Sequence, residues 1–273
     1  MKQLLSCILI LVGTTLFAQL QNGKSRSELG INIGGSYYIG DLNQYKHFYK
    51  TNLSGGVFYR FNIHSRLSFR VNLHYAKVEA YDSDAKMDVN RNRNLSFFSN
   101  IFEVASGVEF TYLPFWLGSK KQYQGTCYLI AEAGGFYMNP KTMYNDEKVE
   151  LQALGTEGQG TSINSKKHYS KIQFCLPIGA GFKMAFGKRF SMGVEYLIRK
   201  TFTDYLDDVG SDSYVDPTLL SIESGPTAAI LSNRSLNGDR FGKRGTKSTK
   251  DWYSTFGVTL SVRLGNPNKC PLR

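Results

Sequence analysis

The residues of this chain that could do chemistry are four histidines and one acidic stretch. A hydrolytic site needs a histidine within hydrogen-bond reach of a serine or a carboxylate. No motif ties His47 or His168 to such a partner, and His74 lies in a strand pattern beside possible carboxylate partners. We therefore predict no catalytic residue, and we interpret His74 as structural.

The acidic stretch runs from Thr203 to Asp216 and offers oxygen ligands, which calcium prefers. Its aspartates are Asp204, Asp207, Asp208, Asp212 and Asp216. Their spacing does not match an EF-hand loop. Alternatively, they cap turns or pair with a later basic stretch from Arg234 to Lys250. We favour this second interpretation and predict no metal site and no cofactor, with calcium binding as the competing hypothesis.

The elements around these residues alternate between apolar and polar positions. The clearest is Leu67 to Ala76, which reads Leu-Ser-Phe-Arg-Val-Asn-Leu-His-Tyr-Ala. Successive side chains of a strand point to opposite faces, so one face is apolar and the other holds Arg70 and His74. Segments of about ten such residues, repeated along a chain, are typical of transmembrane β-barrels. The sequence therefore predicts an all-β fold, an eight-stranded antiparallel transmembrane β-barrel with long outer loops and short periplasmic turns.

Eight segments have this pattern. They are Glu28 to Ile39, Asn52 to Ile63, Leu67 to Ala76, about Ile101 to Leu113, Thr126 to Met138, Ile172 to Phe186, Phe190 to Thr201 and Trp252 to Leu264. The fifth is apolar on both faces, and Glu132 assigns its inner face. A soluble β-sandwich is the alternative fold, but it would not require long and short connections to alternate.

The polar faces of these segments carry the charges. A lipid-facing Arg or Lys at mid-bilayer costs about 2–4 kcal/mol, so these faces should line the interior. The predicted lumen network is structural and contains Arg60, Arg70, His74, Glu103, Glu109, Glu132, Lys183, Glu195, Arg199 and Arg263, with Glu28 on the first strand. We expect Arg70 and His74 to pair with Glu103 or Glu109 on the next strand. An interior filled by side chains makes a general diffusion channel unexpected.

The ends of the chain fit export. Lys2 precedes an apolar run from Leu4 to Phe17, and the sequence predicts a signal peptide at residues 1–18, cleaved after Ala18. Residues 19–273 then form a single barrel domain. Its barrel covers about 28–264, its long outer loops are 81–100, 139–171 and 202–251, and its periplasmic tail is 265–273. Pairing among the remaining Cys127, Cys175 and Cys270 stays open.

The composition of the chain limits the classes of partner that it can bind. The net charge is +11 and aromatic residues make up 14% of the chain, as membrane-interface girdles require. An exported basic chain meets lipid head groups or acidic sugars rather than nucleic acid. We therefore predict outer-membrane lipid as a partner and exclude nucleic acid.

Two segments resemble a known family. Ser27 to Asn43 contains Glu-Leu-Gly, then Gly-Gly, aromatic residues and Gly-Asp-Leu-Asn, and Arg199 to Val209 reads Arg-Lys-Thr-Phe-Thr-Asp-Tyr-Leu-Asp-Asp-Val. Both are similar to signatures of the PorG-like outer-membrane barrels of Bacteroidetes, as is the closing Val262-Arg263-Leu264. We refer to Ser27–Asn43 and Arg199–Val209 as the two signature segments.

The resemblance implies a non-enzymatic component of the type IX protein secretion machinery in the cell outer membrane. Such a barrel would help tether a periplasmic ring of two proteins, PorK and PorN, to the membrane. Candidate contacts on the periplasmic side are Trp116, Lys120, Lys121 and Lys269. The alternatives are an adhesion barrel that uses its basic outer loops and, more remotely, an outer-membrane hydrolase.

Overall fold

The computed structural model describes residues 26–118, 124–238 and 243–264. Eight long strands form the barrel: β1 (Ser27–Ile39), β2 (Asn52–His64), β3 (Leu67–Tyr81), β4 (Ser96–Thr111), β5 (Gly125–Tyr137), β8 (Ile172–Phe186), β9 (Phe190–Thr201) and β10 (Trp252–Arg263). A small hairpin, β6 (Lys141–Tyr144) and β7 (Glu147–Glu150), lies in a connection. The helical segments are a 3₁₀ turn (Asp82–Asp84), α1 (Asp88–Arg93), α2 (Leu151–Leu154), α3 (Pro217–Ser224) and α4 (Pro226–Ser232).

The eight long strands close on themselves. Neighbouring strands are antiparallel in the order β3-β2-β1-β10-β9-β8-β5-β4, and β3 also pairs with β4, from Leu67 opposite Phe110 to Tyr81 opposite Ser96. Every strand therefore has two neighbours, which removes sheet edges. The predicted closed, eight-stranded antiparallel barrel is confirmed.

The polarity of the wall supports a membrane-spanning barrel. Along β3, Leu67, Phe69 and Leu73 are exposed on the outside, whereas Arg70 and Asn72 are buried inside. The other long strands repeat this pattern, so an outward apolar belt surrounds a polar interior. Among the described residues, no helix is long and apolar enough to cross a membrane. A closed barrel with such a belt belongs in the outer membrane, as predicted.

The outer ends of β3 and β4 were predicted too short. β3 continues to Tyr81 and β4 begins at Ser96, so the second outer loop spans 82–95 instead of 81–100. The polarity inverts there: Val78 and Ala80 are fully buried inside, and Lys77 and Glu79 face outward. The expected pattern has apolar residues outside and polar residues inside. It therefore could not predict the parts of β3 and β4 that lie above the membrane.

The connections differ at the two ends. Short turns follow β2 and β8, and in the second Gly187 has φ +64°, a conformation that glycine adopts without steric cost. The two longest connections lie at the opposite end, which is the outer side in barrels of this type, whereas the turn between β4 and β5 is long for a periplasmic one. The predicted loops 139–171 and 202–251 are not structureless, because they contain β6, β7 and α2 and the helices α3 and α4, respectively.

Candidate functional site

The periplasmic half of the lumen is a chain of ion pairs. Arg60 lies between two carboxylates, with its Nη1 2.7 Å from Glu28 Oε2 and its Nη2 2.8 Å from Glu109 Oε2. Lys183 Nζ lies 2.5 Å from Glu109 Oε1. All these side chains are almost completely buried. Each of these four charged residues lies on a different strand, so the network connects β1, β2, β4 and β8 across the interior.

The middle of the lumen is centred on Arg70. Its guanidinium donates to both carboxylate oxygens of Glu195, at 2.5 and 3.2 Å, a geometry in which charge-assisted hydrogen bonds are strong. Arg70 Nη1 also lies 3.6 Å from Glu109 Oε2. Asn72 Nδ2 donates to Glu132 at 2.6 Å. Arg70 therefore pairs first across the barrel with β9 and only second with its predicted neighbour on β4.

A second cluster lies nearer the outer end. Arg199 Nε donates to Glu103 Oε2 at 3.0 Å, and the Tyr253 hydroxyl donates to the same oxygen at 2.5 Å. His74 lies opposite Glu103 in the β3–β4 register, but its Nε2 is buried without a hydrogen-bond partner among the described residues. The expected hydrogen-bonded pair between His74 and a carboxylate is therefore not formed through Nε2, because Arg199 and Tyr253 occupy Glu103.

The periplasmic mouth is closed by the turn between β4 and β5. Phe115 and Leu117 of this turn are buried and pack with Ala185. Lys183 Nζ lies 4.6 Å from the centre of the Phe115 ring. Arg263 Nη1 donates to the Leu117 carbonyl at 2.9 Å. Arg263 thus helps to hold the closing turn. It lies at the periplasmic mouth and not at the centre of the predicted network.

The outer mouth is closed by a folded cap built from the outer loops. Its apolar core joins side chains of all four outer connections with inward residues at the strand ends. Two buried ion pairs fix it: Arg93 Nη2 lies 2.7 Å from Asp82 Oδ1, and Arg244 Nη1 lies 2.5 Å from Glu157 Oε1. The cap is therefore a packed layer above the polar lumen.

The two signature segments meet inside this cap. The Tyr38 hydroxyl lies 2.5 Å from Asp207 Oδ2 and 2.9 Å from Asp251 Oδ1, although Tyr38 and Asp207 are 169 residues apart in sequence. We call Tyr38, Asp207 and Asp251 the cap triad. Burial raises the pKa of Asp207 and of Asp251 well above the usual range. The tyrosine has one proton to donate to two carboxyls, and the raised pKa of these carboxyls favours their protonated forms in this contact.

Gly40 of the first signature segment makes this contact sterically possible. A Cβ at this position would lie 2.0 Å from the Tyr38 hydroxyl oxygen and 2.1 Å from Asp251 Oδ1. Asn43, three residues on, donates from its side chain to the Tyr38 carbonyl at 2.7 Å. The Gly-Asp-Leu-Asn sequence is therefore a packing element of the cap.

The acidic stretch is divided among structural tasks. Asp208 accepts a hydrogen bond from Tyr169 at 2.7 Å and lies 3.9 Å from Arg244, and burial raises its pKa to about 6. Asp212 lies 3.9 Å from Lys243, and Asp216 accepts backbone hydrogen bonds at the start of α3. No group of three or more His, Cys, Asp or Glu within 26–118, 124–238 and 243–264 is arranged to hold a metal ion.

The histidines on the loops and turns are dispersed. His47 Nδ1 lies 3.1 Å from the Tyr37 hydroxyl, and His168 Nδ1 lies 2.7 Å from the Gln152 carbonyl. His64 is the last residue of β2, and its Nδ1 lies 3.4 Å from Ser65 Oγ. None of these contacts joins a histidine to both a serine and a carboxylate.

The structure places the predicted site residues as follows. All ten predicted lumen residues are buried inside the barrel: Arg60, Arg70, His74, Glu103, Glu109, Glu132, Lys183, Glu195, Arg199 and Arg263. Trp116 is half-buried in the closing turn. Lys120, Lys121, Lys269, the predicted signal peptide, the tail and Cys270 lie outside the described residues. Cys127 is exposed and Cys175 is buried, and both are free thiols.

Sequence reasoning missed the cap. Arg93, Asp82 and Glu157 lie in outer loops and were not among the predicted buried charges, yet all three are buried. The signal that could have found them is composition: the outer connections hold apolar residues such as Leu95 and Leu231 that need a core of their own.

Comparison with known proteins gives similarities among solved structures. A search of curated proteins found no match. Among solved structures, the chain is similar to the attachment invasion locus protein Ail of Yersinia pestis, crystallised with the heparin analogue sucrose octasulfate (10% identity, TM-score 0.40, covering 87% of this chain and 97% of that one). It is also similar to Neisserial surface protein A (7%, 0.41, 88% and 97%) and to the N-terminal barrel of Pseudomonas aeruginosa OprF (10%, 0.36, 87% and 98%). Identities and TM-scores this low carry no argument about function.

One family profile matches most of the chain. Residues 2–217 match the family described as "Domain of unknown function (DUF6089)". The match covers the first signature segment and the second, and with them the barrel from β1 to β9. The chain therefore belongs to the DUF6089 family.

Proposed function

We propose that this barrel is a non-enzymatic component of the type IX protein secretion machinery, which helps to tether a periplasmic ring containing PorK and PorN to the outer membrane. The proposal rests on the resemblance of the two signature segments to PorG-like barrels. The observation that favours a tether over a conduit is the filled lumen with a closing layer at each end. The cavity beside His74 has a volume of about 10 Å³, which is room for about one water molecule.

The periplasmic position of the ring limits where it can bind the barrel. A ring in the periplasm can reach only the periplasmic turns and tail. Of these, the turn between β4 and β5 is the longest, and in it Trp116 is half-buried whereas Phe115 and Leu117 on either side of it are buried. Trp116 with Lys120, Lys121 and Lys269 therefore remains the proposed contact set, since tryptophan is frequent in binding hot spots and lysines steer acidic partners.

The experiment is a pull-down of PorK and PorN with the full-length chain. The test variant is Trp116→Ala with Lys120→Gln and Lys121→Gln, and the matched control is Lys188→Gln with Arg189→Gln in the short turn after β8. We expect the test variant to lose at least tenfold of the captured ring proteins and the control to lose less than twofold. Wild-type protein that captures neither ring protein, or a deletion strain that secretes all type IX cargo, would refute the tether.

A further inference from the structure

The first two outer loops enclose an open cleft of about 360 Å³, which we call the loop cleft. It lies between residues 42–49 of the first loop and 81–90 at the end of β3 and in the second loop. Its walls carry three tyrosines, a methionine and two lysines: Tyr45, Tyr49, Tyr81, Met87, Lys46 and Lys86. The cleft is independent of the lumen, of the cap triad and of the proposed periplasmic contacts.

The loop cleft borders the outer surface of the membrane. The first loop folds down over the outer wall, where Phe48 packs 5.1 Å from Tyr37 and 5.1 Å from Phe256, measured between ring centres. Phe48 is 55% exposed on this wall, so lipid is its natural neighbour. The next residues of the same loop line the cleft. One short loop thus joins the apolar belt to the cleft.

The outward face of β3 gives the height of the cleft. Tyr75 is the last aromatic residue of the lipid-facing row, and above it the outward positions become Lys77 and Glu79, which form an ion pair at 3.0 Å. Tyr81 lies six positions beyond Tyr75, about 20 Å along the strand. Because charged side chains replace apolar ones at the outward positions between them, the cleft lies above the acyl chains, on the outer side of the membrane.

The charge of the cleft is positive. Lys46 donates to the Asp84 carbonyl, and Lys50 Nζ lies 3.4 Å from Asp84 Oδ2. Asp84 also accepts a hydrogen bond from the Tyr49 hydroxyl, and this bond and the lysines lower its pKa, so it is ionised. With Lys86 there are three lysines against one carboxylate. The neighbouring Asp88 does not alter this balance, since it pairs with Arg91.

Aromatic rings are placed beside these charges. Lys50 Nζ lies 5.1 Å from the centre of the Tyr81 ring, and Lys46 Nζ lies 5.1 Å from that of Tyr49. Tyr45 is 84% exposed and Met87 is 58% exposed, so both present unpacked apolar surface to a ligand. Ammonium groups bind phosphate as point charges, and flat rings pack against sugar faces.

We propose that the loop cleft binds the phosphorylated sugar head group of an outer-leaflet glycolipid. The lysines contact the phosphate, Tyr45 and Met87 pack against the sugar, and Phe48 contacts the acyl chains of the same lipid. A free phosphate ion shares the charge chemistry but uses neither the sugar-facing rings nor Phe48. A glycolipid is the ligand that uses all three features at once.

The test measures binding of lipid A to the full-length chain in detergent micelles by native mass spectrometry. Bisphosphorylated lipid A is compared with enzymatically dephosphorylated lipid A and with inorganic phosphate. The test variant is Lys46→Gln/Lys50→Gln/Lys86→Gln. The matched control removes the same charge elsewhere on the outer loops, as Lys166→Gln/Lys167→Gln/Lys247→Gln. Tyr45→Ala serves as a single change that touches no buried residue.

We expect the test variant to bind bisphosphorylated lipid A at least tenfold more weakly than wild type, the control to stay within twofold, and Tyr45→Ala to lose about threefold or more. Heat-modifiable migration in gels checks that each variant is folded. Equal binding by wild type and test variant overturns the proposal. So does equal binding of dephosphorylated lipid A, or displacement of lipid A by millimolar phosphate alone. Secretion measured in the same variants separates this result from the tether, which does not depend on the cleft.

Discussion

Glu109 is the side chain on which the lumen network depends most. Its carboxylate lies 2.8 Å from Arg60, 2.5 Å from Lys183 and 3.6 Å from Arg70. In Glu109→Gln, Arg60 keeps Glu28 at 2.7 Å and Arg70 keeps Glu195 at 2.5 Å. Lys183 has no other carboxylate within 4 Å among the described residues. The substitution therefore leaves one buried cation without a partner.

The magnitude follows from this single orphaned charge. Removing one member of a buried ion pair costs about 3–5 kcal/mol, because the desolvation of the remaining charge is no longer offset. We expect Glu109→Gln to lower the free energy of unfolding by that amount. Adding Lys183→Met removes the orphaned ammonium, and its side chain fits against Phe115, which Lys183 already contacts. The double variant should recover to within about 1–2 kcal/mol of wild type.

Urea unfolding in phospholipid vesicles, followed by fluorescence of the two tryptophans, measures these differences. Arg91→Gln is the control, since it breaks an exposed pair with Asp88 within one helix turn and should cost less than about 0.5 kcal/mol. A single variant within 1 kcal/mol of wild type would refute the network as a stabilising element. A double variant no more stable than the single one would show that the loss does not come from the orphaned lysine.

Three further changes test the membrane level, the cap and its pH dependence. Leu73→Arg, on the exposed belt, should cost about 2–4 kcal/mol in vesicles, whereas Leu53→Arg near the outer end of β2 should cost about 0–1 kcal/mol, and equal costs would contradict the assigned belt. Gly40→Ala should destabilise the cap by about 1–3 kcal/mol, seen as protease cleavage of the outer loops with the barrel intact, because its Cβ overlaps the cap triad. Burial raises the pKa of Asp204 to about 6, above that of an unfolded aspartate, so its contribution to stability is present below about pH 4 and is lost as pH rises through 6. We therefore expect the amide of Leu206, two residues from Asp204, to exchange its hydrogen faster at pH 7.5 than at pH 5 in wild type, after correction for intrinsic rates. The Asp204→Asn variant should show no such difference.

The strands were predictable where lipid imposes the pattern. The bounds of β8 and β9 are those expected from alternation, Ile172–Phe186 and Phe190–Thr201. The buried Glu132 shows which face of β5 is inside, as one charge in an otherwise apolar strand had indicated. Prediction failed beyond Ala76 on β3, because the strand leaves the membrane there and the interior changes from polar lumen to apolar cap core.

The members of the lumen network were predictable, but their pairing was not. Inward position follows from the period of two along a strand, and a charge at an inward position must be buried. Which carboxylate an inward cation pairs with depends on the distances between strands across the barrel, and the pattern of a single strand does not contain them. Arg70 therefore finds Glu195 on β9 more closely than Glu109 on the adjacent β4.

The placement of the signature segments changes what the family resemblance can say about partners. Tyr38 and Asp207 are buried inside the outer cap and bond to each other there, and Gly40 leaves the space that this contact needs. They are therefore constraints on the fold of the outer loops, on the side of the membrane away from the periplasm. A periplasmic partner therefore cannot contact these residues. If the barrel tethers a ring, the residues that recognise it lie in the turn around Trp116 or in the tail, outside the two signature segments. Membership of the family and attachment to the ring are thus separable properties of this chain, and the turn variant tests the second without disturbing the first.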